Sequence, residues 1–187
     1  MKKAVIAAAL ALTLLVGCAS GPVFAPREFS YVTKTFGEIT FEYNERFSYR
    51  WSEDGSVLFI NFEPTHRASV QLSETRLSTD QFDQLLSLEH TYPEFTNMLL
   101  GAVFYTRFED VHMNVITETI ANGKTAFEAH AELLNGESPF NGDFETHLIF
   151  FTGINNVYRI SYMAPVNMYN RYYQYFRDIV ASIRTYE

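Results

Sequence analysis

The chain has 187 residues, enough for one domain with a substantial core, and its 14 Lys and Arg face 22 Asp and Glu. An acidic chain with no basic run is a poor nucleic-acid binder, because phosphate contacts dominate that affinity. One cysteine leaves no internal disulfide and no cysteine-clustered metal or redox site, so packing must supply the stability, and 17 Phe and 12 Tyr supply the apolar area.

The N-terminus reads as an export signal. Lys2 and Lys3 precede an uncharged stretch, Ala4 to Val16, which is shorter than the roughly 20 apolar residues a spanning helix needs. It ends in Leu15-Val16-Gly17-Cys18, which resembles the lipobox of bacterial lipoproteins. The resemblance implies cleavage before Cys18, with lipid (diacylglycerol and a fatty acyl chain such as palmitate) on that residue. An ordinary secretory cut after Ala19 or Ala25 is the competing reading, and Pro26 makes the second a poor substrate. Ala19, where the family places aspartate for inner-membrane retention, points to the outer membrane. The expected organisation is a signal peptide over 1–17, a lipidated tether over 18–30 and a single domain over 31–187. Losing Lys2 and Lys3 leaves 12 basic against 22 acidic side chains, a net −10.

Beyond the tether, Thr35 to Tyr49 alternates in part, with a turn expected at Asn44-Glu45. A turn at Glu53–Ser56 precedes a strand Val57–Phe62, and Ala68–Leu77 forms another. The period then changes. Ser78-Thr79-Asp80-Gln81 has capping-box form, and Phe82, Leu85, Leu86 and Leu88 mark a helical apolar face. Tyr92-Pro93 stops that helix, and a second helical piece is expected over Glu94–Leu100.

Asn122-Gly123 marks a hairpin tip. A two-residue loop would oppose Val115 to His130 and Ile116 to Ala129, setting apolar against polar. A three-residue loop, Ala121–Gly123, instead puts Val111, Met113, Val115 and Thr117 opposite Leu133, Ala131, Ala129 and Phe127, and is the expected form. Thr146–Thr152 and Val157–Met163 are apolar on both parities, which predicts strands at the centre of a sheet covered on both sides. Asn167 is the expected cap of a final helix whose stripe runs Tyr169, Tyr172, Tyr173, Phe176, Ile179, Val180 and Ile183. The fold class expected is α+β: a largely antiparallel sheet of about six or seven strands with helices on both faces.

The stretches Gly123–Ala129 (Gly-Lys-Thr-Ala-Phe-Glu-Ala) and Tyr173–Ile183 (Tyr-Gln-Tyr-Phe-Arg-Asp-Ile-Val-Ala-Ser-Ile), in this order of elements, resemble the PsbP-like fold. The family is named for an extrinsic subunit of photosystem II. The resemblance implies a non-enzymatic accessory or binding role and transfers no functional residues.

Candidate chemistry is sparse. His66, His90, His112, His130 and His147 are the histidines, and the three-residue loop makes His112 and His130 diagonal neighbours beside Glu128 and Glu132. Such a diagonal spans about 7–8 Å, within reach of a shared Zn²⁺ held by His112, His130 and Glu132, although these residue types are also ordinary on a solvent-facing strand. No Gly-x-Ser-x-Gly, Ser-x-x-Lys, His-Glu-x-x-His or phosphate-cradling glycine loop occurs, and Glu53-Asp54 and Glu109-Asp110 fall in turn-like segments. In the run Tyr169–Phe176, Tyr175 lies off the helical stripe, which marks it as a candidate partner contact. The expected function is a membrane-anchored accessory or binding lipoprotein of the cell envelope without catalysis or cofactor. Its expected partners are the membrane, through the lipid on Cys18, and an envelope protein or small apolar ligand, but no nucleic acid. The alternative is a metal-dependent enzyme or metal-binding protein using His112 and His130.

Overall fold

The computed structural model describes residues 30–94, 100, 104 and 107–186. The signal segment, Cys18, nearly all of the tether and most of the second helical piece therefore lie outside the described residues.

Among the described residues, ten strands and two helices are defined: β1 (Tyr31–Phe36), β2 (Ile39–Asn44), β3 (Ser48–Trp51), β4 (Val57–Asn61), β5 (Ser69–Glu74), α1 (Thr79–Thr91), β6 (Phe108–Ala121), β7 (Lys124–Gly136), β8 (Gly142–Thr152), β9 (Val157–Pro165), α2 (Val166–Ser182) and β10 (Arg184–Thr185). A seven-stranded sheet runs β3-β4-β5-β9-β8-β7-β6 with every pair antiparallel, and a smaller sheet runs β1-β2-β10. The chain builds β3 to β5, crosses by way of α1 to the far edge, and returns through β6 to β9. Its closing seam is β5 against β9, from Ser69 opposite Met163 to Glu74 opposite Tyr158.

β9 sits at the centre with β8 beside it, as residues apolar on both parities require. Tyr158, Ile160, Tyr162 and Ala164 are buried toward α2 with Ile149 and Phe151, while Leu148, Phe150 and Val157 join the opposite face with Phe82 of α1. Ser78 caps α1 through both arms of the capping box: its hydroxyl accepts from the Gln81 N–H, and the Gln81 side chain accepts from the Ser78 N–H. The helix stops at Tyr92, ahead of Pro93.

The two helices are unequal partners. α2 lays Tyr169, Tyr172, Phe176, Ile179 and Val180 along one face of the sheet, with β1 and β2 extending the same core. α1 reaches the other face through Phe82, supported by Leu77 and Leu86. The expectation of helices on both faces thus overstates the helical cover, since the described residues are richer in sheet than it implies. α2 also starts earlier than expected. Pro165 is the capping residue, with no side-chain cap bond, and Asn167 lies inside the first turn.

Two turns depart from the sequence reading. β1 and β2 form a hairpin around Gly37-Glu38, with Phe36 opposite Ile39. Gly37 takes φ +58°, and a Cβ there would sit 2.5 Å from the Tyr158 hydroxyl, which accepts the Glu38 N–H. The turn after Asn44 then separates the small sheet from the large one. The β6–β7 hairpin closes with two residues, Asn122 (φ 54°) and Gly123 (φ 69°), with Ala121 opposite Lys124. Two positive φ values are what a tight hairpin turn demands. Val115 does oppose His130, and Ile116 does oppose Ala129. A bulge between Met113 and Val115 then moves the register by one, so that Met113 meets Ala131 and Val111 meets Leu133. The expected three-residue register therefore holds only beyond the bulge, because an extra residue in one strand resets the alternation without changing the turn.

Candidate functional site: an arginine-lined cavity

Part of the α1 face is built from alternate residues of four strands. β5 contributes Ser69, Gln71 and Ser73, which lie opposite Met163, Ser161 and Arg159 of β9. β4 adds Phe59 opposite Gln71, and β3 adds Arg50 opposite Phe59. Two adjoining cavities, of about 310 and 160 Å³, open over this surface and share Gln71, Phe140 and Met163 as walls. The larger also takes in Arg50, His66 and Arg67, and the smaller takes in Arg107 and Arg159. Phe59, Phe104, Phe108, Phe140 and Phe144 supply apolar walls.

The electrostatics run against the charge of the whole chain. Four arginines line the two cavities, and among the described residues no Asp or Glu does. Arg50 lies 3.8 Å over the Phe59 ring, while Arg67 donates to the carbonyls of Phe140 (3.1 Å) and Asn141 (3.4 Å) and sits 5.4 Å over Phe144. Arg159 has neither kind of support. Its Nε is buried without an acceptor, and burial pushes its guanidinium below the ordinary arginine value. Arginine nevertheless stays cationic at neutral pH. Burying part of a guanidinium without an acceptor carries a desolvation cost, which an anion in the cavity would offset.

The opposite face shows the same chemistry satisfied. His147 of β8, 9% exposed, lies under α2 against the rings of Tyr173 and Phe176. Its Nε2 is 2.5 Å from Glu128 Oε1, and its Nδ1 is 3.1 Å from the Tyr169 hydroxyl. A carboxylate only accepts, so Nε2 carries a proton. Arg177 Nη1 donates to the same Glu128 oxygen at 2.8 Å. Burial alone pushes the Glu128 carboxyl up, but the His147 hydrogen bond, the charges of His147 and Arg177, and a hydrogen bond from Thr119 outweigh it and bring it to about 2. Burial, followed by neighbouring negative groups, holds the Tyr169 phenol well above its ordinary value, so it stays protonated beside Nδ1.

The candidates read from sequence are placed as follows. His112 is exposed and opposite Glu132, but His130 leans the other way, with Nε2 3.2 Å from Glu145 and its ring 5.7 Å from His147. The trio His112, His130 and Glu132 is not gathered, and no three His, Cys, Asp or Glu among the described residues could hold a metal. The physical reason is the pairing of β7 with β8, which offers His130 a carboxylate and an aromatic shelf under α2. Tyr175 does lie off the buried stripe, yet it packs on Phe47 (5.1 Å) and Phe62 (6.2 Å), with Arg46 4.5 Å over its ring. It borders an open cleft with Arg46, Arg171 and Tyr172. Cys18 lies outside the described residues. Sequence reasoning passed over the arginines of the α1 face. A signal for them exists: Ser69-x-Gln71-x-Ser73 and Arg159-x-Ser161 keep one parity polar in strands otherwise filled with apolar residues.

No protein-family model matches the chain, and neither does any curated protein. Among solved structures, it is similar to the solution structure of a cyanobacterial PsbP protein, CyanoP, from Synechocystis sp. PCC 6803, at TM-score 0.60 and 8% identity over 90% of this chain and 99% of that one. A weaker likeness, TM-score 0.48 at 7% identity over 89% of this chain and 100% of that one, is to LpqN of Mycobacterium tuberculosis, described as involved in cell envelope biogenesis. The seven-stranded antiparallel sheet and its two helices thus form the PsbP-like fold.

Proposed function

We propose that the chain is a lipid-anchored binding protein of the bacterial envelope, held by Cys18 to the outer membrane, that works without catalysis through the cavity of its α1 face. The observation that carries the binding reading is Arg159, a cation with a buried, unpartnered Nε beside a half-open, aromatic-walled space. The anchor rests on Leu15-Val16-Gly17-Cys18 following an apolar stretch too short to span a bilayer. Two or more acyl chains on one cysteine hold a domain stably at the surface, since each buried methylene contributes about 0.8 kcal/mol. The cleft beside Tyr175, with Arg46 over the ring, is a second surface suited to an envelope protein partner.

Intact mass of the protein from bacterial membranes, wild type against Cys18→Ala, tests the anchor. A chain beginning at Cys18 with added acyl mass, absent from the variant, is the expected result. An unmodified chain cut elsewhere overturns anchoring. Turnover of any substrate that is abolished by a point substitution within residues 31–187 overturns the non-catalytic reading.

A further inference from the structure

We propose that the α1-face cavity binds a small anionic amphiphile: a carboxylate or phosphate group paired with Arg159, and an apolar body held among the phenylalanines. The inference rests on the reading of this cavity as the binding surface and names the class of molecule that fits it.

Charge selects the head group. The cavities hold arginines and a histidine but no carboxylate, in a chain with an excess of acidic residues. Arg50 and Arg67 are already engaged by a ring and by backbone carbonyls. Arg159 is not, and its planar fork matches a carboxylate or phosphate better than a hydroxyl or amide. Arg107 is exposed at the rim of the same cavity, where it adds long-range attraction for an anion. The Ser161 side chain, one strand position beyond Arg159 on the same face, adds a neutral donor.

Shape and polarity select the body. Phe108 and Phe144 are buried in the cluster that forms the cavity floor, and Phe140 packs against both, tilted on Phe108 at 5.1 Å and edge-on to Phe144 at 5.5 Å. Phe140 and Met163 belong to both cavities, so a body seated against Arg159 extends across a continuous apolar wall toward Arg67. A bare inorganic anion would leave that wall exposed to water, and a neutral hydrocarbon would leave Arg159 unpaired.

Met163 reports binding directly, and Met168, which packs with the core on the opposite face, is an internal control. The full chain, methyl-labelled at methionine in phosphatidylcholine nanodiscs, is titrated with hexanoate, hexyl phosphate, hexanol and inorganic phosphate. The expected result is a saturable shift of Met163 but not Met168, with hexanoate or hexyl phosphate bound at least about tenfold more tightly than hexanol or inorganic phosphate. Arg159→Gln should remove that preference while leaving hexanol binding unchanged, and Arg107→Gln, a rim change that does not disturb the core, should weaken the anions by about two- to threefold. Hexanol bound as tightly as hexanoate, and unaffected by either substitution, overturns the anionic class while keeping the cavity as a binding surface. No shift of Met163 with any probe overturns both. Phosphatidylglycerol vesicles distinguish the sources of the ligand: lipid extracted by wild type but not by Arg159→Gln assigns a membrane lipid, and hexanoate binding without extraction assigns a free carboxylate.

Discussion

The two faces of the seven-stranded sheet treat charge in opposite ways. Under α2, Arg177 and His147 converge on one carboxylate, Glu128, and Tyr169 completes the hydrogen bonding of the imidazole. On the α1 face, Arg159 is half-buried, its Nε has no acceptor, and no acid among the described residues pairs with it. The first arrangement is internally complete and contributes to the fold. The second leaves one guanidinium nitrogen without an acceptor. A sheet whose faces were built for stability alone would not place an arginine there, because an apolar side chain of the same volume packs without the desolvation cost.

Three substitutions break or sharpen this contrast. The largest effect belongs to the satisfied face. Glu128→Gln leaves two donors facing a neutral amide and should cost about 3 kcal/mol near neutral pH by urea unfolding. The folded carboxyl titrates at about 2, below its ordinary 4.5, so its contribution is full above about pH 4.5 and is lost as pH falls toward 2. Wild type should therefore lose stability across that window relative to Glu128→Gln. Equal acid sensitivity would show that Glu128 does not carry the α2 face.

Arg159→Met should act with the opposite sign. Removing an unpaired buried cation in favour of an apolar side chain should stabilise the domain by about 1–2 kcal/mol, seen as a raised thermal midpoint. Marked destabilisation would mean that the guanidinium is compensated within the fold, and the contrast between the faces would collapse. The smallest effect tests the turn that joins the edge strand β6 to β7. Gly123→Ala at φ +69°, where an added Cβ meets nothing within 4 Å, isolates backbone strain and should cost about 1 kcal/mol. A cost well above that would indicate a turn coupled to the core through Asn122, whose side chain bonds the Thr152 carbonyl and the Thr185 N–H.

Much of the fold was legible before any coordinates. The capping box at Ser78, the stop at Pro93, the central place of β8 and β9 and the stripe of α2 all follow from relations within a few residues or from a simple period. The candidate site was not. His130 looked like a partner for His112 on the neighbouring strand, whereas its contacts come from β8 and α2. Arg159 looked like an incidental charge in an apolar strand, because its significance depends on finding Ser73 of β5 and Phe150 of β8, rather than an acid, opposite it.

By itself the sequence determined the strand and helix periods, the cap of α1 and the α+β class, since each depends on local geometry or on which residues avoid water. The tertiary structure decided the split into two sheets at the turn after Asn44, the bulge that reconciles a two-residue turn with the far register of β6 and β7, and the cavity that exposes one unpaired arginine. Those depend on strand partners distant in sequence, such as β5 with β9. The energy of a buried charge is set by what stands across the sheet from it rather than by its neighbours along the chain.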